Sequence, residues 1–235
     1  MLPIGDDNSQ RRLFPIVTNG LIAVNICVFL LELLGGDNFI YAWSFIPARF
    51  LSDPFGNFIT IFTSMFLHAG WFHLGGNMLY LLIFGDYVED RFGHFKFLVF
   101  YLLSGLAACF AQFIVGMFSD IPTLGASGAI AGVLAAYLFL FPRGRVRVLL
   151  AAWVVNLPAL LVIGAWIVIQ LVSGMGSLSS ASSTGGVAYM AHIGGFLAGL
   201  VLTLFFRKKA RPLYYSQIII DLLSRSLKNH TSFQG

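Results

Sequence analysis

The chain has 235 residues, of which 58% are hydrophobic and 10% charged, whereas a soluble globular domain carries about 45–50% apolar and about 25% charged residues. Such a composition excludes an ordinary soluble domain and points to a membrane protein. The net charge is +4, from 14 Lys and Arg against 10 Asp and Glu, but the charges lie between apolar runs and not on a basic face interleaved with aromatics, which excludes a nucleic-acid partner. Cys27 and Cys109 both fall inside apolar segments, where a thiol acts as a small hydrophobe and neither a disulfide nor a metal site is expected.

A bilayer core about 30 Å thick takes about 20 mostly apolar residues per helical crossing. Six runs meet that length or approach it: 15–34, 58–84, 95–117, 127–141, 146–172 and 187–206. They predict an all-α polytopic membrane protein, a six-helix bundle over 15–206 between a cytoplasmic N-terminal segment, 1–14, and a basic cytoplasmic tail, 207–235. The first run is longer than the apolar part of a secretory signal, and Glu32-Leu33-Leu34 stands in place of a small-residue cleavage site. It is read as a retained helix ending near Glu32. The fourth run is short and opened by a glycine turn, which suits a helix that starts below the membrane surface and is enclosed by the others.

Of the 14 basic residues, 13 lie before the first run, between the second and third, between the fourth and fifth, or after the sixth; Arg49 alone lies in the opposite loops. Because Lys and Arg resist translocation, both termini are expected in the cytoplasm. Segment 35–57 carries Trp43, Phe45, Phe50 and Phe55 on the outer side, as a segment lying in the interface would, or as an aromatic belt. Segment 173–186 is Ser- and Gly-rich and is read as a flexible, solvated connection. For 213–227, an amphipathic interface helix and disorder are equally open. Compact loops favour a bacterial plasma membrane.

Strongly polar groups inside apolar helices are costly, and each needs a reason. Four stand out in the runs: His68, His73 and Asn77 in the second, and His192 in the sixth; Ser127 heads the fourth. His73 and Asn77, four apart, share one helical face. Gly125-Ala126-Ser127-Gly128 places a serine at a helix start, where unpaired N–H groups and the positive dipole end favour a developing anion. Gly195 and Gly199 follow His192 at three and seven residues, and Gly128, Ala131, Gly132 and Ala135 follow Ser127, so small faces let the two helices approach and bring the imidazole toward the hydroxyl. Taken singly, a serine between glycines is a common packing residue, and a lone membrane histidine is usually a helix-to-helix hydrogen bond; His68 is read that way. No acidic residue falls within a helix beside His192, so hydrolysis would rest on a Ser–His pair with other contacts orienting the ring. The chain has no HExxH pattern for a zinc protease and lacks two intramembrane aspartates for an aspartyl one.

Three blocks carry a family resemblance: His68-Ala-Gly-Trp-Phe-His73-Leu-Gly-Gly-Asn77-Met78, Gly125-Ala-Ser127-Gly128 and Ala191-His192-Ile-Gly-Gly195. In that order on the second, fourth and sixth runs they resemble the signatures of rhomboid proteases. Glu89-Asp-Arg91-Phe-Gly93 is also similar to the family. The resemblance implies a rhomboid-type bundle with a membrane-embedded first loop over 35–57, and a serine endopeptidase that cleaves transmembrane segments of other proteins in a cavity opening to the outer side. Ser127 would be the nucleophile and His192 the general base. His73 and Asn77, with the Ser127 N–H, would stabilise the oxyanion, and no cofactor would be needed. Where some members carry a tyrosine that stacks on the histidine, this chain has Ala131, and the Trp-Arg pair of some first loops is absent. Two alternatives remain open at this point: a non-proteolytic relative that escorts membrane clients, and a channel or transporter relaying protons through its histidines.

Overall fold

The computed structural model describes residues 2–6, 12–179 and 188–207. Part of the expected Ser- and Gly-rich connection and the whole tail beyond 207 lie outside the described residues.

Helix α1 (Ile16–Trp43) buries Thr18, Leu21, Asn25, Phe29 and Glu32, a stripe spaced by three or four residues. Val24, Ile26, Leu30, Leu31, Leu33 and Leu34 are left exposed, so the outward surface is apolar, as lipid requires. Its first N–H groups are satisfied from another element: those of Val17 and Thr18 donate to the Glu89 carboxylate at 2.9 and 2.8 Å. The Arg12 and Leu13 N–H groups just before it donate to Asp90 Oδ1 at 2.9 and 2.7 Å. The expected end near Glu32 is not observed. The chain turns at Gly36 (φ 61, ψ −156), a conformation a Cβ disfavours, and then resumes helix to Trp43. Glu32 is therefore buried within the helix, 3% exposed.

The first loop is partly helical. After α1 comes α2 (Pro47–Ser52), and Arg49 donates to the carbonyls of Tyr41 and Ser44 at 2.8 Å each. Phe45 and Thr123 exchange backbone hydrogen bonds of 3.1 and 2.7 Å, tying this loop to the connection that leads to Ser127.

The second run, expected as one helix, is broken. It comprises α3 (Thr60–Thr63), a 3₁₀ turn (Ser64–Phe66), an irregular stretch at 67–70, α4 (Trp71–Tyr80) and a π-helical segment (Leu81–Gly85) that leads into α5 (Asp86–Phe92). Irregular backbone at membrane depth persists only where protein groups satisfy it. Here the His68 N–H donates to Glu32 Oε1 at 2.9 Å.

Helices α6 (His94–Val115) and α7 (Ser127–Leu140) follow closely the expected third and fourth runs. The fifth does not: 146–172 was expected as helix throughout, but its first part is a hairpin of β2 (Arg145–Leu150) and β3 (Trp153–Pro158), joined by β1 (Leu2–Asp6) in a three-stranded antiparallel sheet ordered β1-β2-β3. The reason is the period: Arg145-Val146-Arg147-Val148 alternates, with both valines at 0% exposure against the bundle. The small sheet also qualifies the all-α expectation. Helix α8 (Ala159–Ser179) begins after Pro158 and runs into the segment expected as a flexible connection. Last comes α9 (Tyr189–Phe206).

The tightest packing joins α6, α7 and α9. A Cβ on Gly199 would stand 2.5 Å from the Gly132 Cα and carbonyl oxygen, and one on Gly195 would overlap the Gly128 carbonyl oxygen. The two backbones touch, so the small-residue faces do what their spacing predicted. Among the described residues α1, α6 and α9 are long and apolar enough to cross a membrane, and α7 and the described part of α8 are shorter apolar helices.

Candidate active site

Ser127 is the first residue of α7 and is half-buried. The preceding Gly125 has φ 125, and its N–H donates to the Ser64 carbonyl at 2.8 Å. A Cβ on Gly125 would lie 3.0 Å from both Cε1 and Nε2 of His73 and 3.5 Å from Ser127 Oγ. Glycine thus lets the His73 ring edge approach the hydroxyl.

The Ala69 N–H donates to His73 Nδ1 at 3.3 Å. A neutral imidazole whose Nδ1 accepts carries its proton on Nε2, which is the edge that faces Gly125. One turn along α4, Asn77 is buried, and its Nδ2 has no hydrogen-bond partner among the described residues. The face of α4 that carries His73 beside Gly125 and Ser127 thus holds two donors with capacity to spare, besides the N–H groups of the first turn of α7, which no helical carbonyl can receive. His68 is fully buried, its ring 5.1 Å from that of His73 at 68°. Its backbone is held by Glu32, so it supports this edge and stands apart from the Ser127–His192 contact.

His192 lies in the first turn of α9, 6% exposed, with Nε2 2.7 Å from Ser127 Oγ. The start of α9 is fixed from α6, where Gln112 Oε1 accepts the Ala191 N–H at 3.3 Å. Sequence reasoning left open what orients the ring. Ala131, at 0% exposure, is inside the α7 packing. The contacts come from α8: Gln170 Oε1 lies 2.7 Å from His192 Nδ1, and the Trp166 ring packs tilted against the imidazole, 5.4 Å between centroids and 43° between planes. A signal for Gln170 was present, since it is a lone strongly polar residue in an apolar run.

Ser127 lines a cavity of about 30 Å³, whose walls include Gly105, Ala108, Gly128 and Ala191 as well as Cys109 and Met65. A hydroxyl hydrogen-bonded to a buried imidazole, beside free donors and a small apolar recess, can attack a carbonyl and hold the charge that develops on its oxygen.

Apolar outward surfaces, broken backbone sealed inside protein and a serine at the buried start of a short central helix define a polytopic integral membrane protein of the helical-bundle class. The family model for the rhomboid domain matches residues 56–209, and the chain belongs to the rhomboid family. It is 30% identical over 192 residues to Rhomboid protein 1, mitochondrial, of Saccharomyces cerevisiae, covering 77% of this chain and 50% of that protein. To Rhomboid protease GluP of Bacillus subtilis it is 31% identical over 192 residues, 79% of this chain and 34% of that protein. Rhomboid-like protein 11, chloroplastic, of Arabidopsis thaliana is 28% identical over 189 residues, 77% of this chain and 62% of that protein. The chain therefore spans from one third to under two thirds of the length of these relatives.

Proposed function

We propose that the chain is an intramembrane serine endopeptidase that hydrolyses peptide bonds in or near transmembrane segments of other membrane proteins, with Ser127 as nucleophile and His192 as general base. The observation that carries this reading is the 2.7 Å contact between Ser127 Oγ and His192 Nε2 in a buried setting. As Oγ attacks the carbonyl carbon, Nε2 takes its proton; the same proton goes to the leaving amine when the C–N bond breaks, and water then releases the acyl group by the reverse exchange. His73 Nε2–H, Asn77 Nδ2 and the first N–H groups of α7 are suited to receive the oxyanion. Each such donor typically contributes about 2.7–4 kcal/mol.

Substrate class follows from the family and from the position of Ser127, sunk at the start of a 14-residue helix enclosed by its neighbours. The client-escort reading keeps the same fold, but it gives no reason for a hydroxyl–imidazole contact of this geometry. A proton relay has less behind it, because Nε2 of His192 is engaged by Ser127 and its Nδ1 by Gln170. By the distribution of Lys and Arg, both termini face the cytoplasm and the site opens outward. The short loops and the Bacillus relative favour a bacterial plasma membrane, although other relatives carry mitochondrial and chloroplastic names. The test is cleavage of a single-span substrate by purified protein in liposomes. Wild type is expected to cut it and Ser127→Ala and His192→Ala are not; equal cutting by all three contradicts the assignment.

A further inference from the structure

We propose that Gln170 is a positioning residue that makes the Ser127–His192 pair a Ser–His–Gln triad; the catalytic part of this rests on the protease reading above, the ring geometry does not. For His192 to accept the Ser127 proton at Nε2, the neutral imidazole must carry its own proton on Nδ1. In solution the two tautomers interchange, so a site needs a group that selects one. Gln170 Oε1 at 2.7 Å is that group, and the only atom of this side chain able to accept Nδ1–H. Both partners are buried, Gln170 at 9% and His192 at 6% exposure. Buried this way, an Nδ1–H without an acceptor costs about 1–3 kcal/mol, so the alternative tautomer or a turned ring would win without Gln170.

Trp166 and Gln170 are four apart on α8 and therefore share a face. One packs tilted against the ring and limits its swing; the other bonds to its rim and fixes which way Nδ1 points. Together they supply what Ala131, with only a methyl group sealed inside α7, does not. A carboxylate in this place would bring an unneutralised charge into a low-dielectric interior. The amide selects the tautomer without that cost, and its oxygen still faces the imidazolium that forms transiently.

The experiment uses full-length protein in nanodiscs with ¹⁵N-labelled histidine, as wild type, Gln170→Leu and Gln170→Glu, each checked for an unchanged thermal midpoint. Two readouts are taken. Ring ¹⁵N shifts are expected to show His192 of the wild type protonated on Nδ1, a mixture of tautomers in Gln170→Leu, and the Nδ1–H form restored in Gln170→Glu. On a single-span substrate, kcat is expected to fall about 10- to 100-fold in Gln170→Leu, at or below the lower end of general-base contributions, with KM unchanged and partial recovery in Gln170→Glu. A wild-type ring protonated on Nε2, or a Gln170→Leu protein with the wild-type tautomer and kcat, overturns the proposal. Because the ring shifts need no substrate, a wild type that cuts nothing yet loses its Nδ1–H form in Gln170→Leu overturns the protease reading and supports the positioning role.

Discussion

The site is held from two sides that differ in kind. On one, α7 and α9 meet through glycines, with the Gly132 and Gly199 backbones in contact and no side chain between them. On the other, α8 reaches the site through two long side chains, Trp166 and Gln170. Backbone contact fixes where Ser127 and His192 stand; side-chain contact fixes how the imidazole is turned. The first should be intolerant of any added atom, the second tunable.

The largest effect should come from breaking the glycine seam. Gly195→Val puts a branched side chain into the Gly128 carbonyl oxygen; the helices must separate, overpacking of this kind typically costs about 1–3 kcal/mol or more, and both the thermal midpoint and all cleavage should fall. Next is the oxyanion edge. Asn77→Ala removes a donor that makes no other hydrogen bond among the described residues, so kcat should drop by about 10²–10³ with the thermal midpoint unmoved. A change in stability equal to that of the glycine variant would show that Asn77 is structural.

Smaller again is the support behind His73. Glu32→Ala leaves the buried His68 N–H without its acceptor, at a cost of about 1–3 kcal/mol, and loosens the 67–70 stretch whose Ala69 N–H sets the His73 tautomer. Glu32→Gln keeps an acceptor and should stay near wild type, and thermal unfolding with kcat on the two variants separates these outcomes. The mildest lever is pH: in the proposed role His192 takes a proton only when neutral, so kcat should fall as pH drops through the titration of its imidazole. A rate flat from neutral to acid pH contradicts that role.

What could be read in the sequence follows the same division. Short-period patterns of small residues joining α7 to α9 were legible because backbone approach needs glycine and alanine at fixed spacing, and Ser127, His192, His73 and Asn77 stood out as polar residues in apolar surroundings. Helices α6, α7 and α9 were legible because each is one uninterrupted apolar run. The 67–70 break was not, since what sustains it is a carboxylate from another helix, Glu32, 36 residues away. Length and apolarity concealed the hairpin too, although the alternation of Arg145, Val146, Arg147 and Val148 was a period-2 signal. Gln170 was not legible as an orienting group because its partner lies 22 residues further on, on another helix.

The central claim, that His192 activates Ser127, is tested most directly by a fluorophosphonate probe, which reacts with activated serines and needs no substrate. Reacted with the purified protein and mapped by mass spectrometry, the probe should modify Ser127 in wild type and leave it unmodified in His192→Ala. Equal modification of Ser127 in both proteins, or none in a correctly folded wild type, would contradict the account.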